Sequence, residues 1–208
     1  MKLFYNKEVK QKVNLKLKSL TDEELIKILQ DTNNLEIYEI LVNRYKDSLM
    51  NFVFRFIGDK DVCADIVQDT MIKFYLNKDS YKSFAKFSTW IYTIAGNLAK
   101  NELKRRKRRT IFSLNNSKDE DDKPFELEDK KIIAPDREVD NLIKNEMIQK
   151  ALNKVKPVYR EVVILRDIQE FSYEEISEIT GLSIGTVKSR INRGRTQLQK
   201  LLKNIYNE

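Results

Sequence analysis

Between Leu35 and Ile57 apolar residues recur at steps of three and four: Ile37, Ile40, Leu41, Tyr45, Leu49, Phe52 and Phe56. That spacing predicts one long amphipathic helix with a single buried face, closed by Gly58-Asp59. Upstream, Thr21 and Glu24 form a capping box just before Leu25, Ile26 and Leu29, so a helix begins there. A third helix is expected from about Asp61 to Leu76, with Val62, Ile66, Met71, Phe74 and Tyr75 inward and Asp65, Gln68, Asp69 and Lys73 outward. After an irregular stretch from Asn77 to Phe87, Ser88 is expected to cap a fourth helix, Thr89 to about Arg109. It opens apolar (Trp90, Ile91, Ile94, Leu98) and finishes almost wholly basic. The pattern then stops. Residues 110–137 are acidic and polar, hold Pro124 and Pro135, and show no sustained period. Periodicity resumes from about Arg137 to Val155, and Pro157 starts a shorter helix through Val162, Val163 and Leu165.

Glycine and proline number only 5 and 3, too few for an all-β fold with its many turns. The expectation is an all-α chain: two small helical domains joined by a flexible linker. Its divisions are an N-terminal extension at 1–20, a first domain at 21–109, an acidic linker at 110–137 and a second domain at 138–208. The net charge of +7 is modest, but basic residues gather at Lys104–Arg109 and again at Lys188–Arg195. Two basic clusters suggest a long polyanion held at two points, although a solvated helix face would explain either one alone.

Several chemistries are closed off. The chain has no histidine, which excludes Ser/His/Asp triads and His-containing zinc sites. Its one cysteine, Cys63, can form neither an internal disulfide nor a CxxC metal site, and its apolar setting predicts a buried structural thiol. No metal, cofactor or catalytic residue is expected. No apolar run approaches the ~20 residues of a membrane span, and the basic N-terminus lacks a signal-peptide core, so a cytoplasmic protein without membrane insertion is expected.

Residues 171–198 read FSYEEISEITGLSIGTVKSRINRGRTQL. Ser172 caps a short helix with Tyr173, Ile176 and Ile179 inside, Gly181 supplies the positive φ of a tight turn, and Ser183 caps the next helix. There Ile184, Val187, Ile191 and Leu198 share one side, leaving Gly185, Ser189, Asn192, Arg193 and Thr196 opposite, with Lys188, Arg190 and Arg195 on the flanks. This is what the recognition helix of a helix-turn-helix needs, a buried stripe, an outward row of hydrogen-bonding side chains and cations for phosphates, although an ordinary αα-hairpin with a charged face is the alternative. Thr186, Lys188, Ser189, Arg190, Asn192 and Arg193 are the expected contacts. Arg193 suits guanine and Asn192 adenine.

The stretch YREVVILRDIQEFSYEEISEITGLSIGTVKSRINRGRTQLQK resembles region 4 of the sigma-70 superfamily. DIVQDTMIKFY and FSTWIYTIAGNLAKNELKRRKRR resemble regions 2.2 and 2.3–2.4 of its extracytoplasmic-function group. The likeness runs from about Thr21 to the C-terminus apart from the linker, and regions 1.1 and 3 have no counterpart.

The resemblance implies partners: core RNA polymerase, through its β and β′ subunits, and promoter DNA. An anti-sigma factor is common in the family, though nothing in the chain itself points to one. It also implies that the region 2.2 helix docks on a β′ coiled coil, which assigns that role to Asp65, Gln68, Asp69 and Lys73. Residues 79–90 and the following helix would meet the −10 element, where strand capture needs aromatic pockets for unpaired bases and cations along the backbone. Tyr81, Lys82, Phe84, Lys86, Trp90, Asn97, Lys100, Asn101 and Lys104 fit that task. Trp90 and Tyr92 fit a core equally well, while Tyr81, in a loop with few core positions nearby, is the expected flipped-base residue. By the same resemblance the acidic linker would thread toward the polymerase active centre, the alternative being a merely soluble tether between the domains. The implied function is an alternative sigma factor directing promoter recognition, melting and initiation, with no enzymatic chemistry of its own. The rivals are a dimeric helix-turn-helix regulator and a partner-sequestering protein. A nucleic-acid enzyme fits least.

Overall fold

Gly58 and Gly181 adopt positive φ, +82° and +69°, and each ends a helix at the place where the apolar period breaks. The computed structural model describes residue 17 and residues 19–116 and 136–206, and within them every regular element is helical. In chain order these are α1 (Asp22–Thr32), α2 (Leu35–Ile57), α3 (Lys60–Leu76), a 3-10 turn (Lys78–Ser80) and α4 (Phe87–Asn116). After the linker come α5 (Asp136–Lys154), α6 (Pro157–Asp167), α7 (Tyr173–Thr180) and α8 (Ile184–Tyr206).

The expected caps at Thr21 and Ser172 are present as full capping boxes, with Glu24 and Glu175 returning the hydrogen bond. Asp59 caps α3 through the Val62 amide. The fourth helix departs from expectation. Ser88 lies inside α4, and the Phe87 amide donates to Glu23 Oε1 at 3.0 Å, so the cap comes from α1. The helix also runs on to Asn116, past the expected end near Arg109, so residues 110–116 are helix. The N-terminal extension and the rest of the linker, 117–135, lie outside the described residues, apart from the last turn before Thr21.

α1–α4 close around Phe52, Phe56, Phe74 and Phe87, all fully buried. Each such ring contributes about 1.5–3 kcal/mol by leaving water. Cys63 is buried as expected, and loss of solvent pushes its thiol up to about 11. In the second unit α8 packs on α5, α6 and α7. Gly194 permits the approach, because a Cβ there would stand 2.5 Å from Val163 Cγ2 and 3.2 Å from the Tyr159 carbonyl.

The two units also pack on each other. α4 lies against α7, and α2 against α5 and α6, so that one apolar cluster runs through both. The Tyr92 and Phe171 rings meet edge to face at 4.8 Å, and Tyr92 Oη donates to Gln169 Oε1 at 2.6 Å. Arg160 is buried at this seam. Its guanidinium donates to the Phe56 carbonyl at the end of α2 (2.7 Å) and to the Asn153 and Val155 carbonyls at the end of α5. Desolvation holds its pKa down at about 10.

Candidate nucleic-acid interface

On α8 the outward row is where the helical count puts it. Lys188, Ser189, Asn192 and Arg193 are exposed, and Thr186 and Arg190 are half-buried. The start of α8 is ordered by Ser183, whose Oγ accepts the Thr186 amide at 3.4 Å and lies 2.9 Å from the Thr186 hydroxyl. The Lys188 ammonium stands 5.6 Å from the centre of the Tyr173 ring, which steers it toward the flank of the helix. Arg195 is taken by an ion pair with Asp167. These side chains offer what a major-groove reader uses: Asn and Arg for base edges, Lys and hydroxyls for phosphates.

Residues 81–87 are set by two long-range tethers. Gln30 Nε2 donates to the carbonyls of Lys78 (2.7 Å) and Tyr81 (3.1 Å), while Glu23 holds the Phe87 amide. Tyr81 does not stand apart from the core as expected. It is 7% exposed, its hydroxyl donates to the Ala85 carbonyl, and its ring packs against Phe87 and Trp90. The rings that cover it lie only a few residues further on, but across an irregular stretch whose path no helical period gives. Tyr92 also resolves to the core. Trp90 is half-buried among Phe74, Phe87 and Tyr81. Phe84, by contrast, is 95% exposed, a solvated ring beside exposed Lys82 and Lys86.

Along α4, Asn97, Asn101 and Lys104 are exposed at steps of four and three residues. Lys100 is half-buried. Its Nζ lies 3.2 Å from Glu161 Oε1 of α6, an ion pair without hydrogen-bond alignment, since that oxygen accepts no hydrogen bond among the described residues. Burial pushes the Glu161 carboxyl up, against the pull of Lys100 and Arg190. Just before α4, Lys86 Nζ lies 2.8 Å from Glu175 Oε1 of α7. In the basic run, Glu102 binds Arg105 and Arg106, and Arg106 also reaches Asp59 at 2.8 Å. Lys104, Lys107, Arg108 and Arg109 face solvent.

On α3, Asp65, Gln68, Asp69 and Lys73 are all exposed on one face. Ile72 (46% exposed) and Leu76 (71%) continue the same row. Their apolar character hides them among core positions, although the count of three and four from Asp65 and Asp69 reaches them. Among the described residues no cluster of three or more Cys, Asp or Glu could hold a metal ion, and no helix is long and apolar enough to cross a membrane.

Residues 41–109 match the family described as sigma-70 region 2, and residues 145–198 match sigma-70, region 4. The chain is 33% identical over 165 residues to the ECF RNA polymerase sigma factor SigW of Bacillus subtilis, covering 79% of this chain and 88% of that protein. It is 32% identical to the ECF RNA polymerase sigma-E factor of Salmonella typhimurium, covering 85% and 91%. Among solved structures, the sigma factor RpoE of Bartonella quintana, in complex with the anti-sigma factor NepR, superposes with a TM-score of 0.59. That match has 29% identity and covers 76% of this chain and 91% of the other. CnrH, in complex with the cytosolic domain of CnrY, shares the fold at 21% identity with a TM-score of 0.64, covering 88% and 97%. With both regions matched in order and relatives aligned over most of their length, the chain belongs to the extracytoplasmic-function (ECF) group of the sigma-70 family.

Proposed function

We propose a division of labour for the task that family membership gives this chain. An alternative sigma factor binds core RNA polymerase and directs promoter recognition, melting and initiation at a specific set of promoters. The C-terminal unit reads duplex −35 DNA with Thr186, Lys188, Ser189, Arg190, Asn192 and Arg193. The N-terminal unit takes the opened −10 strand with Lys82, Phe84, Lys86, Trp90, Asn97, Lys100, Asn101 and Lys104. Phe84 replaces Tyr81 as the residue offered to an unpaired base, because a stacking platform has to reach solvent. Asp65, Gln68, Asp69 and Lys73 dock polymerase, and Ile72 and Leu76 add an apolar centre to that patch. The observation that carries the reading is the exposed row Lys188, Ser189, Asn192 and Arg193 on a capped helix behind the Gly181 turn. The chain performs no chemistry itself and acts in the cytoplasm, where polymerase and chromosome are. Its likeness to RpoE, solved with NepR, supports an anti-sigma partner here too.

The test is binding to bacterial core polymerase, with and without the housekeeping sigma factor as competitor, followed by run-off transcription on genomic fragments. Tight binding that the competitor displaces and the Asp65→Arg/Asp69→Arg chain loses is the expected result. A chain that ignores core but binds specific duplex DNA in a salt-sensitive way would replace this reading with a conventional regulator.

A further inference from the structure

None of the proposed DNA or polymerase contacts lies on α1, yet two of its side chains close both ends of the loop that carries Lys82, Phe84 and Lys86. The first turn of α1 holds three successive acids, each with a different partner. Asp22 meets Arg44 and Tyr45 of α2, and Glu24 completes the Thr21 capping box. Glu23 reaches out of its own helix to the Phe87 amide at 3.0 Å, one of the donors at the start of α4 that have no intrahelical partner. Seven residues on, and so on the same side of α1, Gln30 Nε2 donates to the Lys78 and Tyr81 carbonyls. Inside the loop, Tyr81 Oη donates to the Ala85 carbonyl at 2.7 Å and Thr89 Oγ1 to the Lys86 carbonyl at 2.6 Å. Side chains therefore hold the backbone at 78, 81, 85, 86 and 87, and Phe84 stands between them, 95% exposed.

A phenylalanine ring left in water gains nothing from folding, and fixing the backbone around it costs conformational entropy. That cost is offset on binding, when the ring and its flanking lysines already stand where a ligand meets them. We propose that Glu23 and Gln30 are positioning residues for capture of the opened −10 strand, holding residues 82–86 in the shape that the strand meets. The helix that supplies them lies before the part of the chain matched as region 2, residues 41–109. The role rests on the −10 assignment made above. It asks of Glu23 an oxygen at the Phe87 amide, not a charge, and a neutral side-chain amide of the same length offers that oxygen too.

The test uses holoenzyme assembled from core polymerase and the full chain, with a fluorescent single-stranded −10 oligonucleotide whose sequence comes from run-off mapping. Gln30→Met keeps the length of the side chain, removes both donations and should weaken strand binding about ten-fold. Glu23→Met should weaken it about five-fold, whereas Glu23→Gln should stay within about two-fold of the natural chain. Core affinity and the salt slope of strand binding should not move in these variants, because neither residue is placed against polymerase or phosphate. Lys82→Ala, by contrast, should lower that slope. Amide exchange at residues 82–86 should quicken in both methionine variants. A role confined to stability would lower the urea midpoint and leave the strand affinity of assembled holoenzyme unchanged, and that result overturns the proposal. So does a Glu23→Gln chain as weak as Glu23→Met, which would make charge the active property. If Gln30→Met does not assemble with core, the two Glu23 variants decide. Phe84→Ala guards the −10 assignment. If it binds the strand as tightly as the natural chain, that assignment falls and the positioning role with it. If it weakens binding while the Glu23 and Gln30 variants do not, the positioning role alone falls.

Discussion

On α8 four of the residues proposed to read DNA, Lys188, Ser189, Asn192 and Arg193, stand in water, whereas Lys86 just before α4 and Lys100 on it face carboxylates of the other unit. The face proposed to read duplex is open, and the face proposed to capture the strand is partly covered. A covered site binds with its intrinsic affinity reduced by the fraction of molecules that are open. Free chain should therefore find duplex −35 DNA more readily than single-stranded −10 DNA, and polymerase should change the second far more than the first.

The sharpest way to break that contrast is Arg160→Ala. It strips donors from the Phe56, Asn153 and Val155 carbonyls at a buried seam, and should lower unfolding free energy by about 3 kcal/mol in urea titration. Next is Arg193→Ala on the open face. Loss of a bidentate base contact is worth about 1–3 kcal/mol, so −35-dependent transcription should fall about ten- to a hundred-fold while the urea midpoint stays put. Lys104→Ala on the uncovered part of α4 should do less, lowering the salt slope of holoenzyme binding to single-stranded −10 DNA by about 0.7.

The smallest effect concerns Glu161. Its folded-state pKa is raised by burial, so the folded chain holds that proton more tightly than the unfolded one. This contribution is fully present below the ordinary carboxylate range and is lost as pH rises through the raised value. Glu161→Gln should stay within about 1 kcal/mol of the natural chain at neutral pH. The natural chain should gain on it as pH falls through that window. Paired urea titrations across pH check this.

Much of the fold was legible because its signals are local. The Thr21–Glu24 and Ser172–Glu175 boxes, the stripe from Ile37 to Phe56 and the Gly58 and Gly181 stops each lie within a few residues of what they control. The exposed row on α8 was legible for the same reason. What escaped depends on residues far apart in the chain. Glu23 caps α4 across 64 positions, and Lys86 meets Glu175 across 89. Tyr81 is covered by nearer residues, Phe87 and Trp90, but the irregular stretch between them carries no period that would show the chain turning back. Gly194 reads as an ordinary helix glycine until Val163 and Tyr159 arrive against it.

Glu23 and Gln30 have a practical consequence for anyone dissecting this protein. The region 2 likeness starts at residue 41, and a fragment cut there would keep every residue proposed to touch the −10 strand. It would lose the carboxylate that caps α4 and the amide that pins the Lys78 and Tyr81 carbonyls, both supplied by α1. Such a fragment would hold the right side chains on an unanchored loop. A usable minimal piece has to begin before Thr21, where the first helix is capped.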